Sequence, residues 1–449
     1  MKKILVVGSG LSGVVSAMIL IKKKAKVYLV DSGDFRQEHF FKYDKINLEN
    51  SPKLSNLFFK RINKIFFDFY NIKIKNFFLT STIGSGGGSN FWGGALEIPS
   101  KVFQNKINKN FKIKISDSFN YLIKLLCPEQ KINKNIDNRI LISQKPFFIK
   151  KFYIALMKND FNDPWYAKFK YKSFRTKKIL KKLFNMKNFF YIPNTNVQKI
   201  KLINKKTFVD TDNGILENQI FDKVIICCGS VATPILLKRS FPKIFPNIFR
   251  LYHTPMFKLA YFNFFFNSNI KNKMINFLSN LPKIYIEFNL KKNKCLGSLV
   301  LAKQYPNFIF GFNKYNFLFY FFKQFIILGN LFFDQRKSLT YLKISKRRSE
   351  NTIISKNFCY VIDTFVKKKV NNFFVGNRVF PIPFFNFTNT ANGSDSHYTS
   401  SLFSAKKYKY SFLNSRIYVL DGSILPPGSH YPTFSILALI REIAKKIRV

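Results

Sequence analysis

The chain has 449 residues, enough at roughly 150 per domain for two or three domains with a sizeable core. Apolar residues make up 47% and aromatics 18%, with 56 Phe, which excludes a disordered or collagen-like chain. Lys plus Arg number 75 against 23 Asp plus Glu, a net charge of +52 that ordinarily points to nucleic acid or an anionic membrane. Here the excess is almost all Lys, runs along the whole chain and accompanies abundant Asn, Ile, Phe and Tyr, all with AT-rich codons. No recognition-module motif goes with it, so compositional drift outweighs nucleic-acid binding and no nucleic-acid partner is expected. Weak peripheral contact with an anionic inner membrane face stays open.

The five cysteines include the adjacent Cys227 and Cys228, and none stands at CxxC or Cys/His zinc spacing. This predicts a reducing, cytoplasmic compartment, no disulfide scaffold and no structural metal. On a strand rich in β-branched residues the adjacent pair reads as buried, inert thiols pointing to opposite faces.

In chain order, residues 4–7 form a short β-branched strand, followed by Gly8-x-Gly10-x-x-Gly13, a helix over 14–21 and a second strand over 26–30 that ends in Asp31. That is a βαβ opening. A second glycine stretch spans 84–94 and carries Phe91 and Trp92 in its middle, unlike a flexible linker. Residues 101–189 are helical in places. Strands return at 197–202, 207–211 and 224–228, with a helix from about Val231. Short aromatic and β-branched runs over 251–390, among them 308–312, predict an antiparallel sheet. The run 317–333, broken by Lys323, Gln324 and Asn330, reads as a buried or interfacial helix of the substrate domain and not a membrane span. The tail adds a strand over 416–420, a turn at Asp421-Gly422 and a helix from Thr433.

The first glycine box serves a dinucleotide: Gly8 permits the tight turn, Gly10 lets the backbone approach a pyrophosphate, and Gly13 permits close helix–strand packing. The helix N-terminus favours the phosphates, and Asp31 accepts ribose hydroxyls. The second stretch forms a backbone nest for electron-rich ligand atoms.

These boxes, with 224–229 followed by Ala232-Thr-Pro, Asp421-Gly-Ser and the closing Pro432-Thr, resemble in kind and order the glucose-methanol-choline (GMC) oxidoreductases. The second box, Gly86-Gly-Gly-Ser-Asn-Phe-Trp92, is nearest to the pyranose oxidase branch. The resemblance implies an α/β fold: a discontinuous Rossmann-like FAD-binding domain (1–100, 190–250 and 392–449) with an α+β substrate domain built on an antiparallel sheet (101–189 and 251–391). It implies flavin contacts at Gly8, Gly10, Gly13, Asp31, Gly87, Gly88, Ser89, Asn90, Trp92, Val197, Gly229, Asp421, Gly422 and Thr433. Pyranose oxidase links flavin to a His directly before the Trp; this chain has Phe91, so noncovalent FAD is expected.

Family activity is oxidation of an alcohol, here a sugar or polyol, with oxygen, a quinone or a carrier protein as acceptor. His397 matches the family's base, which near neutral pH takes the hydroxyl proton. The second catalytic position, Asn in pyranose oxidase, holds Tyr431 with His430 beside it, and His430 is slightly preferred. His253 reads as structural, with a lesser claim on substrate, and His39 has no motif around it. Alternatives are non-alcohol flavin chemistry, such as sugar rearrangement or desaturation, and a degenerate membrane-surface flavoprotein.

Overall fold

The structure, a computed structural model, describes residues 1–34, 66–79, 85–90, 94–127, 147–149, 152–154, 156–158, 171–204, 206–263, 284–290, 293–302, 322, 324–345, 350–356, 361–390, 392, 397–403, 410–413 and 415–449. Phe91, Trp92, His39, Cys359 and the run 308–312 lie outside them.

The fold is mixed α/β. Lys3–Val7 pairs in parallel with Lys26–Val30 on one side and Lys223–Ile226 on the other. Phe189–Ile192 extends the sheet beyond Lys26–Val30, and Ile417–Val419 extends it beyond Lys223–Ile226, both in parallel. Ser411–Phe412 closes one edge antiparallel, making six strands. The strands are continuous apolar runs because helices Leu11–Lys22, Gly229–Ser240 and Thr433–Lys446 bury them in one core. The chain builds outward from Lys3–Val7 to one edge, then crosses to the other side of that strand. Its parallel strands lead into Gly8, Asp31, Cys227–Gly229 and Asp421. A crevice at the carboxyl ends of strands where the order reverses is where open α/β sheets take ligands.

Three placements differ from expectation, two from the division that the resemblance implies and one from the reading of the residues. First, helices Lys101–Phe111 and Phe119–Leu126, expected in the substrate unit, pack into the core of the six-stranded sheet through Phe103, Ile107, Phe111, Leu122 and Leu126. Helix Lys177–Phe184 joins the same core. An i, i+4 apolar stripe requires a partner surface but does not say which one. Second, Ile72–Lys75 pairs in parallel with Asn351–Ser355 in a four-stranded sheet whose Phe249, Leu342 and Ile353 also join that core. Third, the expected helix over 317–333 is wrong from Ile326 onward: Ile326–Phe332 is an inner strand of a seven-stranded antiparallel sheet. That strand buries Ile327 and Leu331 on one face and Ile326, Leu328 and Phe332 on the other. A strand covered on both faces has no polar alternation to distinguish it from a buried helix.

The seven-stranded sheet is covered on one face by helix Thr364–Gly376, through Val366, Val370, Phe373 and Phe374. Its other face meets Tyr431. Among the described residues, no helix is long and apolar enough to cross a membrane.

Candidate functional site

Gly8 has φ +100°, and a Cβ there would stand 2.7 Å from the Cys227 carbonyl oxygen. At Gly13 a Cβ would lie 1.8 Å from the Gly8 carbonyl oxygen, so the helix sits against the turn only because both side chains are missing. Gly10 differs: among the described residues, chain neighbours aside, no atom comes within 4 Å of where its Cβ would be. Helix Leu11–Lys22 starts there with no side-chain cap and no acid in its first turn, leaving a positive end suited to an anion. Asp31 is buried beside it. Its Oδ2 accepts from the Ser9 N–H at 2.6 Å and its Oδ1 from the Gly33 N–H at 2.8 Å. Burial pushes this carboxyl above the usual range, and the Ser9 and Gly33 bonds pull it back.

The second glycine stretch meets the first. Ser9 Oγ accepts from the Gly86 N–H at 3.0 Å and donates to Ser85 Oγ at 3.3 Å. A Cβ on Gly87 would stand 3.6 Å from Gly10 Cα. Gly87–Asn90 forms one 3₁₀ turn in which the Ser89 hydroxyl donates to the Gly86 carbonyl at 2.8 Å. Arg175 Nη1 donates to the Ser89 carbonyl at 2.7 Å and braces the turn from the helix side. Gly88 and Gly229, like Gly10, have no atom of the described residues, chain neighbours aside, within 4 Å of a Cβ position.

Asp421 is an internal clip. Its Oδ2 accepts from the Gly229 N–H at 2.9 Å and from Thr233 Oγ1 at 2.5 Å, and its Oδ1 accepts from the Ser423 N–H at 2.9 Å and from Ser423 Oγ at 2.5 Å. The four acceptor positions of a carboxylate are thereby filled by the chain's own donors. Gly422 is needed for packing, since a Cβ would stand 2.9 Å from Ser230 Oγ. Val197 is buried opposite Thr211, on the strand reached from Asp31 through the Thr195 N–H bond to the Asp31 carbonyl at 2.9 Å. Burial pushes the thiols of Cys227 and Cys228 up; the pair does not share a strand as expected, because the strand ends at Ile226 and half-buried Cys228 directly precedes helix Gly229–Ser240.

Burial also pushes Asp421 up, against the Ser423, Thr233 and Gly229 bonds. A carboxyl held above its unfolded value makes folding take up a proton. The stability it contributes is complete below about pH 4 and is lost as pH rises through the raised value. Asp421→Asn is therefore expected to flatten that part of the fall in Tm with pH. An unaltered Tm–pH slope would count against the assignment.

The tail brings two of the predicted residues, His397 and Tyr431, into ring contact. His397 and Tyr431 are edge to face, ring centroids 4.9 Å apart, and Tyr431 also meets Phe332 at 4.9 Å and Tyr285 at 5.6 Å. His430, directly before Tyr431 on the 428–432 loop, has its Nδ1 3.5 Å from Glu97 Oε1, the long limit of a hydrogen bond. Glu97 Oε2 accepts from the backbone N–H groups of His430 at 3.1 Å and Tyr431 at 2.9 Å and from Ser429 Oγ at 3.3 Å. With Glu97 as acceptor, Nδ1 carries a proton, and in the neutral ring it is then Nε2 that holds the lone pair. That Nε2 is buried and has no hydrogen-bond partner among the described residues. Thr433, half-buried, opens helix Thr433–Lys446, which has no side-chain cap.

Glu97 had no sequence signal beyond being an acid in a basic chain, three residues past the second glycine stretch. Gln335 had none. Fully buried, its Nε2 donates to the His397 carbonyl at 3.1 Å, and its Oε1 accepts from Thr399 Oγ1 at 3.2 Å and the Gly428 N–H at 3.4 Å. It ties the His397 segment to the His430 loop. His253 is buried, its ring 5.4 Å from Phe77 and its N–H bonded to Ser338 Oγ at 3.2 Å, in keeping with a structural role. Among the described residues, no His/Cys/Asp/Glu group could hold a metal ion. Compared with known proteins, the sequence matches no family model and no curated protein.

Proposed function

We propose that the chain is an FAD-dependent oxidoreductase that oxidises a CH–OH group of a sugar or other polyol to a carbonyl, with the six-stranded sheet as a Rossmann-like FAD domain. The observation that carries this is the contact between the two glycine stretches beside Asp31, at the strand ends of a parallel sheet.

The residues fit a dinucleotide. Gly10, Gly88 and Gly229 leave open backbone where a Cβ would project, the uncapped helix end suits a pyrophosphate, and Asp31 suits ribose hydroxyls. When bound, FAD supplies the two-electron acceptor for the hydride leaving the substrate carbon. The chain's own task is to hold the alcohol and take its proton. His430 Nε2, its lone pair set by Glu97 on the opposite nitrogen, is the acceptor best prepared for that proton. Tyr431, next to His430 in sequence, and the His397 ring packed on it are assigned as the wall that orients the hydroxyl. This exchanges the roles expected for His397 and His430.

An absorbance spectrum of the purified protein, before and after acid precipitation, tests the cofactor: flavin released into the supernatant is expected. Anaerobic addition of sugars and polyols should then bleach it with formation of carbonyl product. A protein that stays colourless after soaking with FAD overturns the proposal.

A further inference from the structure

The two faces of the seven-stranded sheet have different chemistry. Phe257, Leu259, Leu299, Ile327 and Leu331 face helix Thr364–Gly376, and that layer is apolar. The alternate positions Met256, Leu296, Phe332 and Tyr285 gather with Tyr431 on the other face. Period-two alternation puts Lys258, Ser298 and Asn330 on this second face too.

The strand register joins them. Tyr285 stands opposite Ser298, Ser298 opposite Asn330, and Asn330 opposite Lys258. They form one polar row across four strands, two residues along from the Leu296–Phe332–Met256 row that meets Tyr431. Ser298 is 1% exposed, Asn330 is half-buried and Lys258 is exposed, so the row runs from the interior outward. Ser298 Oγ is buried with no hydrogen-bond partner among the described residues. A buried hydroxyl left so is unfavourable for folding alone and marks a place where a ligand can supply the missing bond. Glu287, also on this face, stands opposite Leu296 in the Phe332 row, diagonally across from Lys258. The negative and positive groups thus lie at opposite corners.

We infer that this row is the distal subsite of the proposed oxidoreductase, and that the substrate is a polyhydroxylated alcohol bearing an anionic group. This rests on the alcohol-oxidation reading above. Ser298 and Asn330 bond the substrate hydroxyls, and the Lys258 ammonium takes the anion. Two residues along a strand is about 7 Å, a span that a six-carbon sugar derivative covers from a reacting carbinol beside Tyr431.

Calorimetric titration of the purified protein with D-glucose, D-glucuronate and D-glucose 6-phosphate tests this directly. At least one anionic sugar is expected to bind about tenfold or more tightly than glucose, and the two anionic arms separate carboxylate from phosphate. Lys258→Met should abolish that preference and leave glucose unchanged. Ser298→Ala should weaken binding of the preferred anionic sugar about fivefold without lowering Tm, because it removes a hydroxyl that the free protein leaves unbonded. Equal binding of all three sugars, no binding of any, or a preference that survives Lys258→Met overturns the inference. Anionic sugars that bind without bleaching flavin would instead count against alcohol oxidation. Bleaching by neutral polyols with no anion preference would count against this subsite alone.

Discussion

His430→Ala is expected to retain bound FAD while slowing anaerobic bleaching by the best alcohol about 10²–10⁴-fold, the range for loss of a positioned base. An alcohol carbon gives up hydride readily only as its oxygen gains negative character, so proton removal and C–H cleavage are coupled. The role proposed for His430 rests on its placement: Nδ1 faces a carboxylate, and Nε2 is buried without a partner among the described residues. Glu97→Ala removes the group that sets this arrangement, together with the acceptor for two backbone N–H groups and the Ser429 hydroxyl. It should therefore lose both rate and some stability. His430→Ala, whose backbone bond to Glu97 survives, should lose mainly rate. His397→Ala is expected to raise KM more than it lowers kcat, because that ring forms the wall beside Tyr431. The reverse pattern, in which His397→Ala stops bleaching and His430→Ala does not, would return the base to His397.

The second large effect is Gly10→Ala, which should fold normally yet bind FAD poorly. Gly10 has φ −59° and ψ 176°, a backbone any residue adopts, and among the described residues, chain neighbours aside, no atom lies within 4 Å of a Cβ there. The added methyl is expected to change stability by no more than about 0.5 kcal/mol. In a filled cradle the same methyl overpacks the ligand, at about 1–3 kcal/mol, or roughly five- to 150-fold in affinity. Gly13→Ala makes the contrast. Its Cβ would stand 1.8 Å from a backbone oxygen, so the helix must leave the turn and the fold itself is lost. Thermal melts and flavin titrations of the two variants separate these cases. A Gly10→Ala protein that binds FAD as well as the parent would make this stretch an ordinary turn.

Several features were legible because the responsible forces act over a few residues. The βαβ opening follows from a β-branched strand, glycines where side chains cannot fit and an acid at the next strand's end, and it recurs as Lys3–Val7, Leu11–Lys22 and Lys26–Val30. The closing helix begins at Thr433, directly after Pro432, as the sequence predicts. The candidate site was only half legible. His397, His430 and Tyr431 could be named, but Glu97 lies 333 positions from His430, and Gln335 lies 62 from His397. No local pattern records such pairings.

The amino-acid order alone determined where the chain must turn, which segments carry an apolar face, and that two stretches lack side-chain bulk, since these depend on sterics and hydration of near neighbours. Tertiary structure decided which surfaces cover those faces: helices Lys101–Phe111 and Phe119–Leu126 went to the parallel sheet, and Ile326–Phe332 became a strand sealed on both sides. It also decided that one buried carboxylate, Asp421, serves as a clip, while another, Glu97, faces an imidazole. Burial and hydrogen-bond partners set a carboxylate's chemistry, and both depend on contacts made only when distant segments close on one another.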